Sequence, residues 1–314
     1  MSSALTSTWQ PLGPAPIQDP YEARLNALKP WGSGTAAGAI QALAMVQTGT
    51  AQDGWLYAGS VNGGVWGRPY SGASDRWGPW RWLSVPPAYE GSQSIAALAA
   101  SPDQRWLAIG RGQVSSFAGL AGELNEPVQL AERRSDGSLR WLKLDPTSQA
   151  NLKGRSAQAL QWAGQQLLIG TDSGLFVGAL NQAGQLSTLQ LSGQPNWNIR
   201  TIAVGPSGRV YIGVVTRNSQ NGVVTRGVFS TSREALRSGS ANWTALPGSQ
   251  ALVNEANNLR LAVSRDPATQ QDVVFLGVAV QRKDKGKNET DPSNRIAIDS
   301  IHRGTWTSNN NQLI

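Results

Sequence analysis

Twenty acidic side chains, one histidine and no cysteine set the limits on any chemistry this chain of 314 residues can do. A glycosidase needs two carboxylates flanking one bond, about 5 to 10 Å apart according to mechanism. Asp53, Asp75, Asp103, Asp136, Asp145, Asp266 and Asp272 instead stand beside Gly, Pro, Ser or Gln in connecting segments, where an aspartate ordinarily serves a local hydrogen bond. A sialidase pattern is incomplete: there is no Arg-Ile-Pro motif, and Tyr21, Tyr57, Tyr70, Tyr89 and Tyr211 offer no obvious partner for a nucleophile. His302 stands alone, without the cysteines that usually complete a metal site and without a Gly-x-Ser-x-Gly elbow for a triad, so it reads as a surface residue. No catalytic residue, metal site or cofactor motif is expected.

The stretch WLYAGSVNGGVWGR at 55 to 68 has the look of a phosphate loop but lacks its parts. Gly63 and Gly64 are followed by Val65 and Trp66, where a Walker loop needs Lys and Ser or Thr. The following GVWGRPYSG is a poor helix, so no helix N-terminus would face a pyrophosphate. Asn62-Gly63 instead predicts a type I′ hairpin turn.

Binding chemistry has better candidates. Trp77, Trp80 and Trp82 form the densest aromatic cluster, and an exposed Trp77 would offer a stacking face to a glycan. Two connections are unusually long, 110 to 127 with Arg111 and Phe117, and 281 to 295 with Arg282, Lys283, Lys285 and Lys287. A third, 214 to 226 with Arg217, reads as an extended hairpin. Loops of that length are more often functional or disordered than neutral. The net charge of +7 comes mainly from arginines, 21 against 6 lysines. They are scattered rather than gathered into a stripe, which argues against a nucleic-acid partner and leaves a protein or a glycan.

The elements that must carry these residues follow from composition and repetition. Thirty-five glycines, seventeen prolines and thirteen tryptophans describe many short strands and turns. No stretch approaches the roughly 20 apolar residues of a membrane span, and the start MSSALTSTWQPLG lacks the basic and apolar regions of a signal peptide. An apolar strand ending in glycine recurs as WLYAG, WLAIG, QLLIG, VYIG and VFLG, with Gly59, Gly110, Gly170, Gly213 and Gly277 spaced by 51, 60, 43 and 64 residues. Each follows another strand-like segment, as in SIAALAAS and IRTIAVGP. A third strand such as SGLFVGAL comes next, then a fourth, usually Trp-bearing, such as LRWLKL. Four short strands in about 50 residues is the signature of a propeller blade. A blade has two apolar faces and must be sandwiched between neighbours.

The expected fold is therefore all-β, a β-propeller of four-stranded antiparallel blades. The blades fall at about 38 to 91, 92 to 154, 155 to 198, 199 to 254 and 255 to 314, closed by a strand at 7 to 13 completing the last. The tail TWTSNNNQLI could instead supply that fourth strand itself, with the chain the front part of a longer protein. Trp80 and Trp82, two apart on one strand, are expected to share a face and pack against the next blade.

The order GAIQALAMV, GWLYAGSVNGGVWGR and a Trp-bearing segment, best matched over 38 to 85, resembles the repeats of BNR and sortilin-type propellers, found also in xyloglucanases and a photosystem II assembly propeller. The Asp-box of those repeats is altered here, in SDGSLRW at 135 to 141 and SGASDRWGPW at 71 to 80. The resemblance implies that this box is a structural turn, and it implies architecture rather than activity. Function is left between a non-enzymatic module or assembly scaffold, engaging a protein or glycan through rim loops, and a glycoside hydrolase of the BNR or xyloglucanase type.

Overall fold

The computed structural model describes residues 40–48, 53–61, 63–83, 93–112, 126–142, 144–180, 186–191, 196–218, 222–239, 241–282, 295–305 and 312–313. All belong to one compact unit, 40–314. The proposed closing strand at 7 to 13 lies outside them, as do Phe117, Lys283, Lys285 and Lys287.

Each glycine-ended strand is the second strand of an antiparallel sheet. The first sheet orders β1 (Ile40–Gln47), β2 (Gly54–Ser60), β3 (Gly64–Ser71) and β4 (Arg76–Trp77), with β5 (Arg81–Trp82) also on β3. The second runs β6 (Ile95–Ala100), β7 (Trp106–Arg111), β8 (Val128–Arg133) and β9 (Leu139–Leu142). The third runs β10 (Ala157–Ala163), β11 (Gln166–Thr171), β12 (Gly174–Leu180) and β13 (Leu186–Leu191). The fourth runs β14 (Ile199–Val204), β15 (Arg209–Asn218), β16 (Gly222–Ser232) and β17 (Thr244–Ala245). The fifth runs β18 (Ala256–Arg265), β19 (Asp272–Arg282), β20 (Arg295–Thr305) and β21 (Gln312–Leu313). Short helices α1 (Pro146–Leu152), α2 (Arg233–Arg237) and α3 (Ser249–Leu252) sit in connections. No helix among the described residues is long and apolar enough to cross a membrane.

The first strands β1, β6, β10, β14 and β18 abut in chain order, and each successive pair of sheets encloses one apolar cluster. Between the second and third sheets lie Ala97, Ala99, Leu130, Leu160 and Trp162, with Leu152 of α1 inserted from the side. Each fully buried Leu or Ile in such a layer contributes roughly 1.5–3 kcal/mol. The recurrent glycines make the approach possible. A Cβ at Gly110 would stand 2.8 Å from the backbone oxygen of Ala157, and one at Gly170 would stand 2.7 Å from Cγ2 of Ile199, each on the next sheet's first strand. At Gly59 the obstacle is Ile95.

Polar ties join the sheets as well. Asp272, buried at the start of β19, accepts from the amide of Ser207 in the β14–β15 turn at 3.0 Å, from the Ser207 hydroxyl and from the hydroxyl of Tyr211 on β15 at 3.0 Å. Burial, with the Asp272 carboxylate second, pushes the Tyr211 phenol far up. The Trp162 indole donates across sheets to the Ala99 carbonyl at 3.1 Å.

Two local expectations are corrected. The positive φ in the first hairpin belongs to Gly64, at 73°, and not to Gly63. Ser60 pairs with Gly64, making the loop three residues, and Val61 is drawn into a bridge with Ser94 of the second sheet; Asn62 lies outside the described residues. Trp82 is 61% exposed rather than packed against a neighbouring sheet. The strand carrying it is only two residues long, so Trp80 lies in the link between β4 and β5 and the two do not alternate along one strand.

Each first strand also carries one irregularity near its start, between Ile40 and Ala42, Ile95 and Ala97, Ala157 and Ala159, Ile199 and Thr201, and Ala256 and Asn258. A bulge re-aims the extra side chain. In the third and fourth sheets those residues meet, with Arg200 Nη1 donating to Gln158 Oε1 at 3.0 Å.

Candidate binding cleft

Antiparallel connectivity sorts the candidate residues to opposite ends of the sheets. Arg111, Arg217 and Arg282 all fall where a second strand gives way to a third. Successive sheets are oriented alike, since Gly64 N donates to Gln93 O at 3.1 Å and Gly174 N to Trp197 O at 2.7 Å, tying that end of one sheet to the start of the next. The three long connections therefore leave from one end. Trp77 lies at the other, where β3 turns into β4.

Arg111 is fully buried. Its Nη2 donates to Gln129 Oε1 at 2.8 Å, Gln129 Nε2 donates to Glu126 Oε2 at 2.6 Å, and Gln149 of α1 donates to Glu126 Oε1 at 3.4 Å. This chain of contacts ties the last residue of β7 to β8 and to the helix.

Trp77 lines an open cleft of about 610 Å³ between the β1–β2 and β3–β4 turns of the first sheet and the β8–β9 turn of the second. Tyr70, its cross-strand partner, lies 4.7 Å away, ring centre to ring centre, at 45°. The Arg68 guanidinium stands 5.0 Å from the Trp77 ring centre and 5.4 Å from that of Trp80, fixed by donation from Nε to Gly78 O at 3.1 Å. Cation–π contacts of this kind contribute about 0.5–1 kcal/mol at exposed sites. Gly78 admits the tight fold of this segment, because a Cβ there would sit 2.5 Å from Cγ of Pro69.

Around the aromatic wall are short polar groups held by turns. Asp53 Oδ1 accepts from Gly72 N at 2.9 Å. Asp75 accepts from the Tyr70 hydroxyl at 2.8 Å, and this hydrogen bond raises the Tyr70 pKa. Asp136, in the SDGSLRW turn, accepts from Ser138 Oγ at 2.7 Å and Ser138 N at 2.9 Å. These hold its carboxyl below the ordinary aspartate range. The neighbouring Gly137, at φ 79°, leaves room for the Trp55 ring, and Arg81 lies 5.8 Å from that ring's centre. Asp53, Trp55, Tyr70, Trp77, Arg81 and Asp136 thus share one wall system. Of these the sequence singled out only Trp77 as a binder and read the aspartates as turn residues; the pairing of Tyr70 with Trp77 comes from the strand register of the structure.

Among the described residues no cluster of His, Asp and Glu is placed to hold a metal ion. His302 Nε2 is within 2.8 Å of Ser300 Oγ. Among the described residues, every carboxyl with a displaced pKa is displaced downward: Glu132 by Arg105 and Arg140, Asp136 and Asp145 chiefly by the nearby hydroxyls of Ser138 and Ser148, and Asp266 by backbone amides.

No family model matches the sequence, and no curated protein matches it. Among solved structures the chain is similar to an ancestral GH74 enzyme, with a TM-score of 0.51 and 16% identity over 87% of this chain and 32% of that one. It is similar to a luciferin-regenerating enzyme at 0.49 and 11% identity, covering 86% of this chain and 78% of that one. The WD40 domain of Neurospora crassa Pan2 follows at 0.40 and 11%, covering 89% of each. The chain spans 32% to 46% of the length of four solved structures it matches. Repeated antiparallel sheets of four strands and the likeness to the GH74 enzyme define a β-propeller.

Proposed function

We propose that the protein is a non-catalytic binding propeller of the BNR or sortilin repeat type, and that its ligand is a glycan received in the cleft beside Trp77. The observation that carries this reading is a half-buried tryptophan on the wall of an open 610 Å³ cleft, held in place by Tyr70 and Arg68. A sugar ring presents an apolar C–H face to an aromatic and hydroxyls to its surroundings. The cleft matches both needs, with Trp77 and Tyr70 for the first and Asp53, Asp136, Arg76 and Arg81 for the second. Because the indole is fixed beforehand, little side-chain entropy remains to be lost on binding.

Hydrolysis is the second reading, favoured by Asp53 and Asp136 lying on one cleft. A general acid needs its pKa raised by burial or by a like charge. Asp136 is exposed and its carboxyl is held low by Ser138, which favours binding over bond cleavage. The connections after β7, β15 and β19 leave from the other end and carry a second proposed contact, a protein met by Phe117, Arg217, Arg282, Lys283, Lys285 and Lys287; Arg111, fully buried, is not available to it.

A glycan array probed with the wild-type chain and with Trp77→Ala, alongside a hydrolysis screen on the captured glycans, separates these readings. The expected result is capture by the wild type, at least about tenfold weaker capture by the variant, and no released product. Product release assigns an enzyme, and an array blank for the wild type ends the glycan reading and leaves the long connections with their protein partner.

A further inference from the structure

The cleft beside Trp77 reaches round the end of the first sheet. Residues directly opposite on neighbouring strands share a face, and successive residues alternate. Pro69 is paired with Trp55, Gly67 with Tyr57 and with Arg81, and Ser71 with Arg76. Trp55 and Tyr57 belong to the apolar cluster that joins the first sheet to the second, so Arg76 and Arg81 stand on the side of the second sheet. Tyr70 and Trp77, paired with each other, take the opposite side. Both sides line the one cleft, which Asp53 and Asp136 also border.

Several arginines nearby are engaged by the protein. Arg105 and Arg140 form ion pairs with Glu132, Arg68 donates to Gly78 O at 3.1 Å, and Arg133 Nε donates to Gln104 O at 3.0 Å. Arg76 and Arg81 differ from these. Both are exposed, and among the described residues neither donates a side-chain hydrogen bond or meets a carboxylate within ion-pair distance. The two aspartates of the cleft are committed to their own turns, Asp53 Oδ1 to Gly72 N and Asp136 Oδ1 to the amide and hydroxyl of Ser138. Arg81 is nonetheless placed, since its guanidinium lies 5.8 Å from the ring centre of Trp55, which is buried. Two guanidinium groups with no carboxylate of their own, one of them set against a fixed ring, form a receptor for an anion.

We propose, resting on the glycan reading above, that the ligand is an acidic oligosaccharide of at least two sugar residues. One ring stacks on Trp77, and the carboxylate or sulfate of a neighbouring sugar is received by Arg76 and Arg81 on the second-sheet side. One sugar cannot meet both needs, because the adjacent residues 76 and 77 point to opposite faces. A guanidinium meets either anion with two parallel N–H donors, whereas a neutral sugar leaves both charges unmatched.

The test places the whole chain on an array of oligouronates, the same oligouronates with each carboxyl reduced to a hydroxymethyl group, and sulfated oligosaccharides. The wild type is expected to be captured in an acidic set, the set naming the anion, and to lose capture as salt is raised. The Arg76→Gln/Arg81→Gln double variant and, separately, Trp77→Ala are each expected to bind that set at least about tenfold more weakly. Circular dichroism checks that both variants fold. Equal capture of the oligouronates and their reduced forms, or a double variant that binds as the wild type does, overturns the acidic ligand while Trp77-dependent capture keeps the glycan reading. Acidic capture that the double variant loses and Trp77→Ala leaves intact shows attraction to charge alone and overturns the two-point ligand. A blank array ends this inference and the glycan reading together.

Discussion

Gly110 and Gly277 end the same strand of the same repeat and have opposite surroundings. The first is pressed against the backbone of the next sheet, and the second meets, among the described residues, only Arg260 of its own sheet, at 3.8 Å. The difference teaches that the repeated glycine is not there for its backbone freedom, since neither has a positive φ. It is there to let a neighbouring strand come close. Where a neighbour is present the glycine is indispensable, and where none is packed its lack of a side chain is a vacancy of shape only.

The sharpest way to break this comparison is to fill both positions. Gly110→Val is expected to destabilise the fold by about 3 kcal/mol or more, because the obstacle at Ala157 is backbone and cannot rotate away. Gly277→Ala should change stability by less than about 0.5 kcal/mol. Chemical denaturation of both variants gives the two values side by side, and equal losses would show that the glycines share a role unrelated to packing.

Next in size is the polar counterpart of the same interface. Asp272→Ala removes the acceptor shared by Ser207 and Tyr211 and leaves their donors buried, at an expected cost of about 2–3 kcal/mol. Tyr211→Phe, which takes away one donor and leaves Ser207 in place, should cost less. The order of the two denaturation midpoints checks whether Asp272 is the hub of the tie between the fourth and fifth sheets.

The smallest effect lies in the connection between the second and third sheets. Asp145 caps α1, accepting from Thr147 N at 3.0 Å and Ser148 N at 3.1 Å. Asp145→Ala should cost about 1 kcal/mol. These hydrogen bonds and that of the Ser148 hydroxyl favour the ionised carboxylate and hold its pKa down. The stabilisation is full above the ordinary aspartate pKa and is lost as pH falls through the lower folded value. Stability measured against pH for wild type and variant should therefore converge in acid.

Much of the fold was legible because its signals are local. Alternating apolar residues, a strand-ending glycine and a turn every few residues identify hairpins wherever they occur, and WLYAG, WLAIG and QLLIG each became a second strand. The fate of the tryptophans was not legible in the same way. Trp55 is buried beside Gly137, while Trp82 lies exposed with its indole donating to Gly63 O at 3.2 Å. Whether such a ring is covered depends on how far the short outer strand runs, and β5 stops after two residues. The cleft was legible in one residue, Trp77. Asp53 and Asp136 reach it from two different turns and Tyr70 from β3, and no spacing along the chain announces their convergence.

The sequence by itself determined the repeat, the strand order within each unit and the need for neighbours on both faces, because these rest on period-two patterning and on steric properties of single residues. Only the tertiary structure decided which faces found a neighbour, which end of the sheets received the long connections and which turns met to enclose a cleft. Those outcomes depend on how one sheet is set against the next, a relation between residues distant in sequence that no local pattern encodes.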